Sequence, residues 1–319
     1  MRCRTLAAAI RSRAGYHTTM VVGGHGPTVA RVTEHDVHGV PAQDDDLTQM
    51  RELSPDLVVS DINYLSPARM TALRTLGPVA NLAPRGLPKY YADATITSTA
   101  VVDTPCPDDG SRTRWHRGPR HAIVRTDVVN QRPTEPPKMT NPRVIVSMGG
   151  VDEAGLTRKV ASALSSLGTT IPIDVVIGWD SPHVEAVRRE VRSSPCMELH
   201  VQPDNLVDLL AAATVAVLGV GNVVDEALTL GKAVVGYPLT EYHALRAQEL
   251  ADLGAMTFVQ EDATEAVISS VTQQVIEDRE FRNSLAVTAW NLFDGRGAER
   301  AVAVCQDLLR KRHQLAASQ

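Results

Sequence analysis

Aromatic residues are scarce and positive charge is not in excess: the 319-residue chain holds three Phe, three Trp and six Tyr, with 32 Lys and Arg against 37 Asp and Glu. A formal net charge of −5 and a pI near 6.1 imply no basic face large enough to neutralise a phosphate backbone, which argues against a nucleic-acid partner. The basic segments 112–125 and 310–313 are local. Four cysteines, Cys3, Cys106, Cys196 and Cys305, show no paired spacing. Neither a disulfide framework nor a zinc site is indicated, and free thiols in a reducing cytoplasm are expected. No window approaches the roughly twenty apolar residues of a membrane span. The short apolar run in Met1 to Ile10 is cut off by Arg11 and Arg13, too early for a secretion signal. Repeats and low-complexity tracts are absent. What is left is ordinary globular composition, long enough for two α/β domains with separate cores.

The chain is organised around Leu218 to Gly254. Thr214 to Leu218 is a mostly apolar run that reads as a buried strand. Gly219 and Gly221 bracket a tight turn, and from Asn222 the spacing becomes helical, with Val223, Ala227 and Leu230 on one side and Gly231 as the stop. The first amides of such a helix lack partners within it and carry the positive end of its dipole, so the turn Gly221-Asn222-Val223 suits a diphosphate. Glu226, one turn further in, is placed for sugar hydroxyls. An ordinary strand–helix unit, with glycines that serve packing alone, has the same spacing. A strand Ala233 to Tyr237, a stop at Pro238, a polar loop Leu239 to His243 and a helix ending at Gly254 follow.

Upstream, Arg143 to Met148 reads as a strand, followed by Gly149-Gly150-Val151-Asp152 and a helix from Ala154 to Leu167. Adjacent glycines let backbone amides approach a ligand without Cβ obstruction, and Asp152 is a candidate helix cap. Ile173 to Gly178 and Met197 to Gln202 are two more strands with an amphipathic helix, Val184 to Val191, between them; Asn205-Leu206 opens the next helix. In the first half, Leu6, Ala7, Ile10 and Ala14 lie at helical spacing, and a strand is expected at His17 to Val22. A helix at Leu47 to Leu53, a strand Asp56 to Ser60 and a Ser66-capped helix to Leu76 continue the alternation. Asp61, Asn63 and Tyr64 fall beyond a strand's carboxyl end, where open α/β sheets collect ligands; a strand-end Asp serves equally as a turn former. Strands at Pro78 to Leu82 and Ala94 to Ser98 precede an aperiodic stretch, Asp103 to Arg120, that reads as an exposed loop. The Pro-rich segment 132–142 is the expected boundary between a domain 1–131 and a domain 143–319.

VSMGGVDEAGLT resembles the V-S-x-G-G-x-D-x-x-x-L-T segment of one branch of GT-B sugar-nucleotide enzymes, the branch of the pseudaminic-acid-pathway UDP-sugar hydrolase and its glycosyltransferase relatives. The glycine turn, helix Glu and donor loop of Leu218 to Gly254 resemble the donor half of that superfamily, and FDGRGAERAV is similar to its D-G-x-G-A-x-R signature. VVSDINYLSP resembles its V-V-D-x-Y-x-L segment with a small offset. The opening Arg2-Cys3-Arg4-Thr5-Leu6-Ala7 matches from the middle of a strand-G-x-G-H-x-x-R-C-x-T-L-A motif, so the first strand and the G-x-G-H loop are expected either upstream of Met1 or lost. The resemblance implies a GT-B fold of two Rossmann-like domains, an N-terminal acceptor domain and a C-terminal nucleotide-sugar domain. It implies Asp61 and Tyr64 as catalytic residues. Gly149, Gly150, Asn205, Leu206, Gly221, Asn222, Val223, Glu226 and His243 would bind the nucleotide sugar, with no metal and no cofactor.

Val223 replaces a hydroxyl residue of the hydrolase pattern and Glu241-Tyr242-His243 replaces its E-N-Q, so phosphate contact is expected to lean on backbone amides. His243 would donate to a phosphate or sugar oxygen or lie solvated at the surface, and Arg246 would add charge. The expected activity is inverting transfer from a UDP-sugar to a small-molecule acceptor, with a base in the first domain. Hydrolysis of a UDP-sugar by water, or binding without turnover, stay open at this point.

Overall fold

The computed structural model describes residues 2–22, 38–39, 46–62, 66–82, 92–99, 113–138, 141–168 and 170–318. The chain divides into two units, one of Met1–Arg125 with Arg296–Gln319 and one of Thr126–Gly295.

The first unit opens with α1 (Arg2–Ala14), whose Leu6, Ala7 and Ile10 are buried as their spacing requires. The expected strand at His17 to Val22 shrinks to β1 (Val21–Val22), paired with β2 (His38–Gly39). After α2 (Asp46–Glu52) come β3 (Val58–Ser60) and α3 (Pro67–Arg74). Ser66 caps α3 by accepting from the Arg69 amide at 3.2 Å, with Pro67 at the first helical position. β4 (Val79–Asn81), β5 (Ala94–Thr97) and β6 (Arg114–Arg117) complete a parallel sheet of order β3-β4-β5-β6. β6 corrects the reading of Asp103 to Arg120 as loop. Its signal is weak because an edge strand keeps long polar side chains: Arg117 lies over the Trp115 ring at 4.4 Å and Arg114 pairs with Asp307.

The second unit begins with α4 (Thr126–Asn130) and continues through β7 (Val144–Ser147), α5 (Leu156–Ser165), β8 (Ile173–Ile177), α6 (Val184–Arg192) and β9 (Met197–Val201). It then crosses through α7 (Leu206–Ala212) to β10 (Val215–Gly219), α8 (Asn222–Thr229), β11 (Ala233–Tyr237), α9 (Glu241–Asp252), β12 (Thr257–Phe258), α10 (Glu265–Glu277) and α11 (Arg279–Leu292). The sheet order is β12-β11-β10-β7-β8-β9, all parallel. β7, β8, β10 and β11 are buried along their whole length, which is why they read as unbroken apolar runs. One polar tie crosses these strands: the Asp174 carboxylate on β8 accepts from the Arg143 guanidinium at 2.7 and 2.9 Å and meets His200 Nε2 at 2.9 Å.

The last helix, α12 (Gly297–Ala317), returns to the first unit and packs on α1. Its opening glycine is sterically required, since a Cβ on Gly297 would stand 2.0 Å from the Ala122 carbonyl oxygen. Arg300 donates to the Arg120 carbonyl at 2.7 Å. Thus the division falls at Arg125/Thr126 and again before Arg296, whereas the sequence placed everything from residue 143 together. Contiguity along the chain does not reveal a helix that doubles back. Among the described residues no helix is long and apolar enough to cross a membrane.

Lys232, just after α8, is buried with its Nζ donating to the Ala211 carbonyl at 2.6 Å. Burial pushes its ammonium down from 10.5 to about 8. Between those values the unfolded chain keeps a proton that the folded chain has released, so this residue makes stability rise with pH through that window. Below it, the buried charge is a constant cost. Denaturation midpoints measured from pH 7 to 10 are expected to climb for the native chain relative to Lys232→Met; parallel curves would count against a strained ammonium.

Candidate functional site

In the second unit the chain runs outward from β7 through β8 to β9, then returns to lay β10 on the other side of β7. The strand order therefore reverses between β7 and β10. In a parallel sheet every carboxyl end lies on one edge, and the reversal opens a crevice there between two diverging loops. Those loops are Met148 to Asp152 and Gly219 to Asn222, the two glycine segments singled out in the sequence.

Each loop has the backbone freedom the crevice needs. Gly149 has φ +111°, a conformation closed to side chains, and both Gly149 and Gly150 are exposed. A Cβ on Gly219 would lie 2.9 Å from the Met148 carbonyl oxygen, so the two loops approach as closely as backbone allows. Gly178 does the same on the other side, where a Cβ would come within 1.9 Å of the Gly150 oxygen. Among the described residues of this unit, the two non-glycine positions with positive φ, Asp152 (45°) and Gln202 (49°), stand at the same edge, beyond β7 and β9. Such strain, about 1 to 3 kcal/mol each, persists where the surroundings impose it and concentrates at functional loops. Asp152 takes the capping role: its carboxylate accepts from the Leu156 amide at 2.8 Å and the Thr157 amide at 3.0 Å. The helix accordingly starts at Leu156, two residues later than expected.

α8 begins at Asn222 with Gly221 as an extended N-cap, φ −130° and ψ −154°, and no side chain caps it. Asn222 is exposed, Val223 partly so, and Glu226 is buried in the second turn. The Gly221 carbonyl accepts from the Val224 amide at 3.2 Å and from Arg246 Nη1 at 3.2 Å. Arg246 Nη2 is bonded to the Asp225 carboxylate, with both side chains under a tenth exposed. Arg246 thus does not add free charge at the loop, as its helical spacing suggested; it clamps the first turn of α8 from α9. Asp225 has no local signal in the sequence, because its partner is 21 residues away. His243 is buried, not solvated; its ring stacks edge-on to Tyr242 at 6.0 Å, and its amide donates to the N-cap Thr240 at 3.3 Å. Asn205 is the exposed N-cap of α7 and Leu206 its first residue, beyond β9 on the same edge. Trp179, which the sequence reading passed over, is 48% exposed one residue beyond Gly178, and Val151 is 47% exposed.

In the first unit Asp61 follows β3 directly. Its carboxylate accepts from Arg2 Nε at 3.2 Å and is paired to the same guanidinium through Nη2. Tyr64 lies outside the described residues. The structure thus gathers Gly149, Gly150, Asn205, Leu206, Gly221, Asn222 and Val223 along one sheet edge, with Glu226 and His243 buried behind it.

No protein-family model matches the sequence. The spore coat polysaccharide biosynthesis protein SpsG of Bacillus subtilis (strain 168) is 26% identical over 200 residues, 61% of this chain and 59% of that protein. The match thus spans under two thirds of that relative's length. The UDP-N-acetylglucosamine--N-acetylmuramyl-(pentapeptide) pyrophosphoryl-undecaprenol N-acetylglucosamine transferase of Exiguobacterium sp. (strain ATCC BAA-1283 / AT1b) is 24% identical over 247 residues, 72% of this chain and 68% of that protein. The crystal structure of Acinetobacter baumannii MurG superposes with a TM-score of 0.69 at 16% identity, covering 96% of this chain and 95% of that one. The fold is GT-B.

Proposed function

We propose that the protein is a nucleotide-sugar-dependent glycosyltransferase that takes a UDP-sugar donor and works by inversion without a metal. The observation that carries the reading is the uncapped N-terminus of α8, seated at the β7/β10 reversal against a second glycine loop. The amides of Asn222 and Val223 would receive the diphosphate and stabilise its charge as it leaves, which is the role a cation plays elsewhere. Gly149 and Gly150 let backbone come close to the donor, the 205–206 segment borders the base, and Glu226 and His243 take hydroxyl or phosphate oxygens. The relatives named for polysaccharide biosynthesis and N-acetylglucosamine transfer support a transferase, and the second of them supports a UDP-sugar.

The test is incubation with a UDP-sugar panel, with and without candidate small-molecule acceptors and with EDTA throughout. UDP release that depends on an acceptor and survives EDTA is the expected result. Release of UDP and free sugar without acceptor, or tight binding without turnover, overturns it.

Asp61 is proposed as the base that activates the acceptor hydroxyl, poised through its pair with Arg2. Asp61→Asn is expected to lower kcat by about a hundredfold or more while leaving UDP affinity within about twofold. Equal losses in both would make Asp61 a structural residue.

A further inference from the structure

The first unit carries a concavity of about 460 Å³ on the side of its sheet opposite to Asp61. Pro78 precedes β4, Asp93 precedes β5 and Arg114 opens β6, so these residues mark the amino edge of a parallel sheet, whereas Asp61 follows β3 at the carboxyl edge. Arg74, the last residue of α3, and Lys311 and Arg312 of α12 complete the lining on that side. All of these residues belong to the first unit, and the donor crevice belongs to the second.

Charge sets this concavity apart. The chain as a whole is at −5, yet four cations, Arg74, Arg114, Lys311 and Arg312, line it together with one carboxylate, Asp93. The nearby carboxylates are already committed. Asp93 accepts from the Val79 amide at 2.9 Å through one oxygen and from Arg74 Nη2 at 3.1 Å through the other. Asp307, on α12, is shared: Arg114 is bonded to it, Lys311 Nζ stands at 3.3 Å and Arg310 Nη2 at 3.6 Å. That crowding holds its carboxyl below the usual carboxylate range, through the Arg114 hydrogen bond first and the Lys311 bond next. Arg312 is bonded to no carboxylate among the described residues. Its Nη1 donates to the Pro55 and Asp56 carbonyls at 3.1 and 2.7 Å, which fix its position and leave its charge whole.

Ordinary reasons for surface cations do not cover this set. A helix dipole favours cations at the C-terminus, but its influence is confined to the last turn, and the last turn of α12 holds no basic residue. An i,i+4 pair with Asp307 accounts for Lys311 alone. The seat of Arg312 is also built into the backbone: a Cβ on Gly77 would stand 2.8 Å from its Nη1 and 3.1 Å from the Asp56 oxygen. Among the described residues the bonds of Arg74, Arg114 and Arg312 engage one terminal nitrogen on each, and a guanidinium has further N–H donors to give. Planar guanidinium forks around one concavity match phosphate oxygens better than any neutral group. The volume lies within the roughly 300 to 1,000 Å³ of small-molecule sites and leaves room beside a phosphate, where Pro78, Leu308 and the 67% exposed Leu315 supply apolar lining.

We propose that this concavity binds an organic phosphate, with phosphate oxygens on Arg74, Arg114 and Arg312, Lys311 adding charge, and an apolar body against Pro78 and Leu315. A soluble phosphate ester and the headgroup of an anionic lipid share that chemistry.

Calorimetric titration of the full chain with hexyl phosphate, and separately with inorganic phosphate, tests the site. Hexyl phosphate is expected to bind with a Kd below about 1 mM and about fivefold or more tightly than inorganic phosphate, because the alkyl chain leaves water. Arg74→Gln combined with Lys311→Gln should weaken it by about tenfold or more; the two side chains are 42% and 55% exposed, so the variant keeps its fold. Arg74→Lys, which keeps the charge and loses the fork, should still weaken it severalfold. Arg188→Gln, which removes one charge from α6 in the second unit, should change nothing. Sedimentation with phosphatidylcholine vesicles, with and without phosphatidic acid, assigns the source. Binding to vesicles that needs phosphatidic acid and disappears in the double variant identifies a lipid headgroup; hexyl phosphate binding without it identifies a soluble ester. Absence of saturable binding to either probe overturns the proposal, as does equal affinity in the double variant. Loss of binding in Asn222→Pro overturns it too, since the anion would then sit at α8; the donor reading is judged with UDP, so the two fail separately.

Discussion

Arg246→Met is expected to remove about 3 to 5 kcal/mol of stability from the second unit, read as the urea midpoint shift of its unfolding transition. The size follows from where the pair sits. Arg246 is 6% and Asp225 5% exposed, so neither is screened by water, and removing the guanidinium takes a cationic partner from a carboxylate held in a low-dielectric interior. A surface ion pair would be worth less than a quarter as much. The same change takes a donor from the Gly221 carbonyl, the hinge between the glycine turn and α8. UDP affinity should therefore fall in conditions where the variant is still folded. The double variant Arg246→Met with Asp225→Leu separates the two effects, because it removes the buried carboxylate together with its guanidinium partner. It is expected to recover most of the lost stability and little of the lost binding. A loss below about 1 kcal/mol for the single variant would show that the pair is hydrated and that the clamp does not exist.

The second unit was largely legible in its sequence because its strands are buried on both faces. Runs such as Ile173 to Ile177 and Ala233 to Tyr237 have no polar residue to blur the pattern except Asp174. The same held for the two glycine loops, whose glycines are obligatory where φ is +111° at Gly149 or where backbones nearly touch at Gly219. Long-range pairing was not legible. Arg246 looked like free charge near a phosphate site because helical spacing reports the face of a helix and not what that face meets. His243 looked as suited to water as to a ligand for the same reason. β6 was missed because an edge strand needs no apolar alternation, and the return of α12 because its partner helix α1 is almost 300 residues earlier. Asp61 was correctly placed at a strand's end, but its pairing with Arg2 depends on two elements separated by 59 positions.

Asn222→Pro is expected to weaken UDP binding by roughly tenfold to a hundredfold while leaving stability within about 1 kcal/mol. Proline is at home as the first residue of a helix: its fixed φ suits the position, and the amide it lacks has no partner inside the helix. Proline also demands an extended residue before it, and Gly221 already is one, with φ −130° and ψ −154°. The substitution therefore deletes one N–H from the crevice and little else in the fold. Under the proposed reading that N–H meets a charged oxygen, and such a bond is worth about 1.5 to 3 kcal/mol. Asn222→Ala supplies the control, since it removes the side chain and keeps the amide; it should bind UDP within a few-fold of the native chain. Comparable losses in both variants would transfer the contact to the Asn222 side chain. Unchanged calorimetric affinity in the proline variant would mean that the helix terminus does not hold the diphosphate, and the donor site would have to be sought elsewhere along that sheet edge.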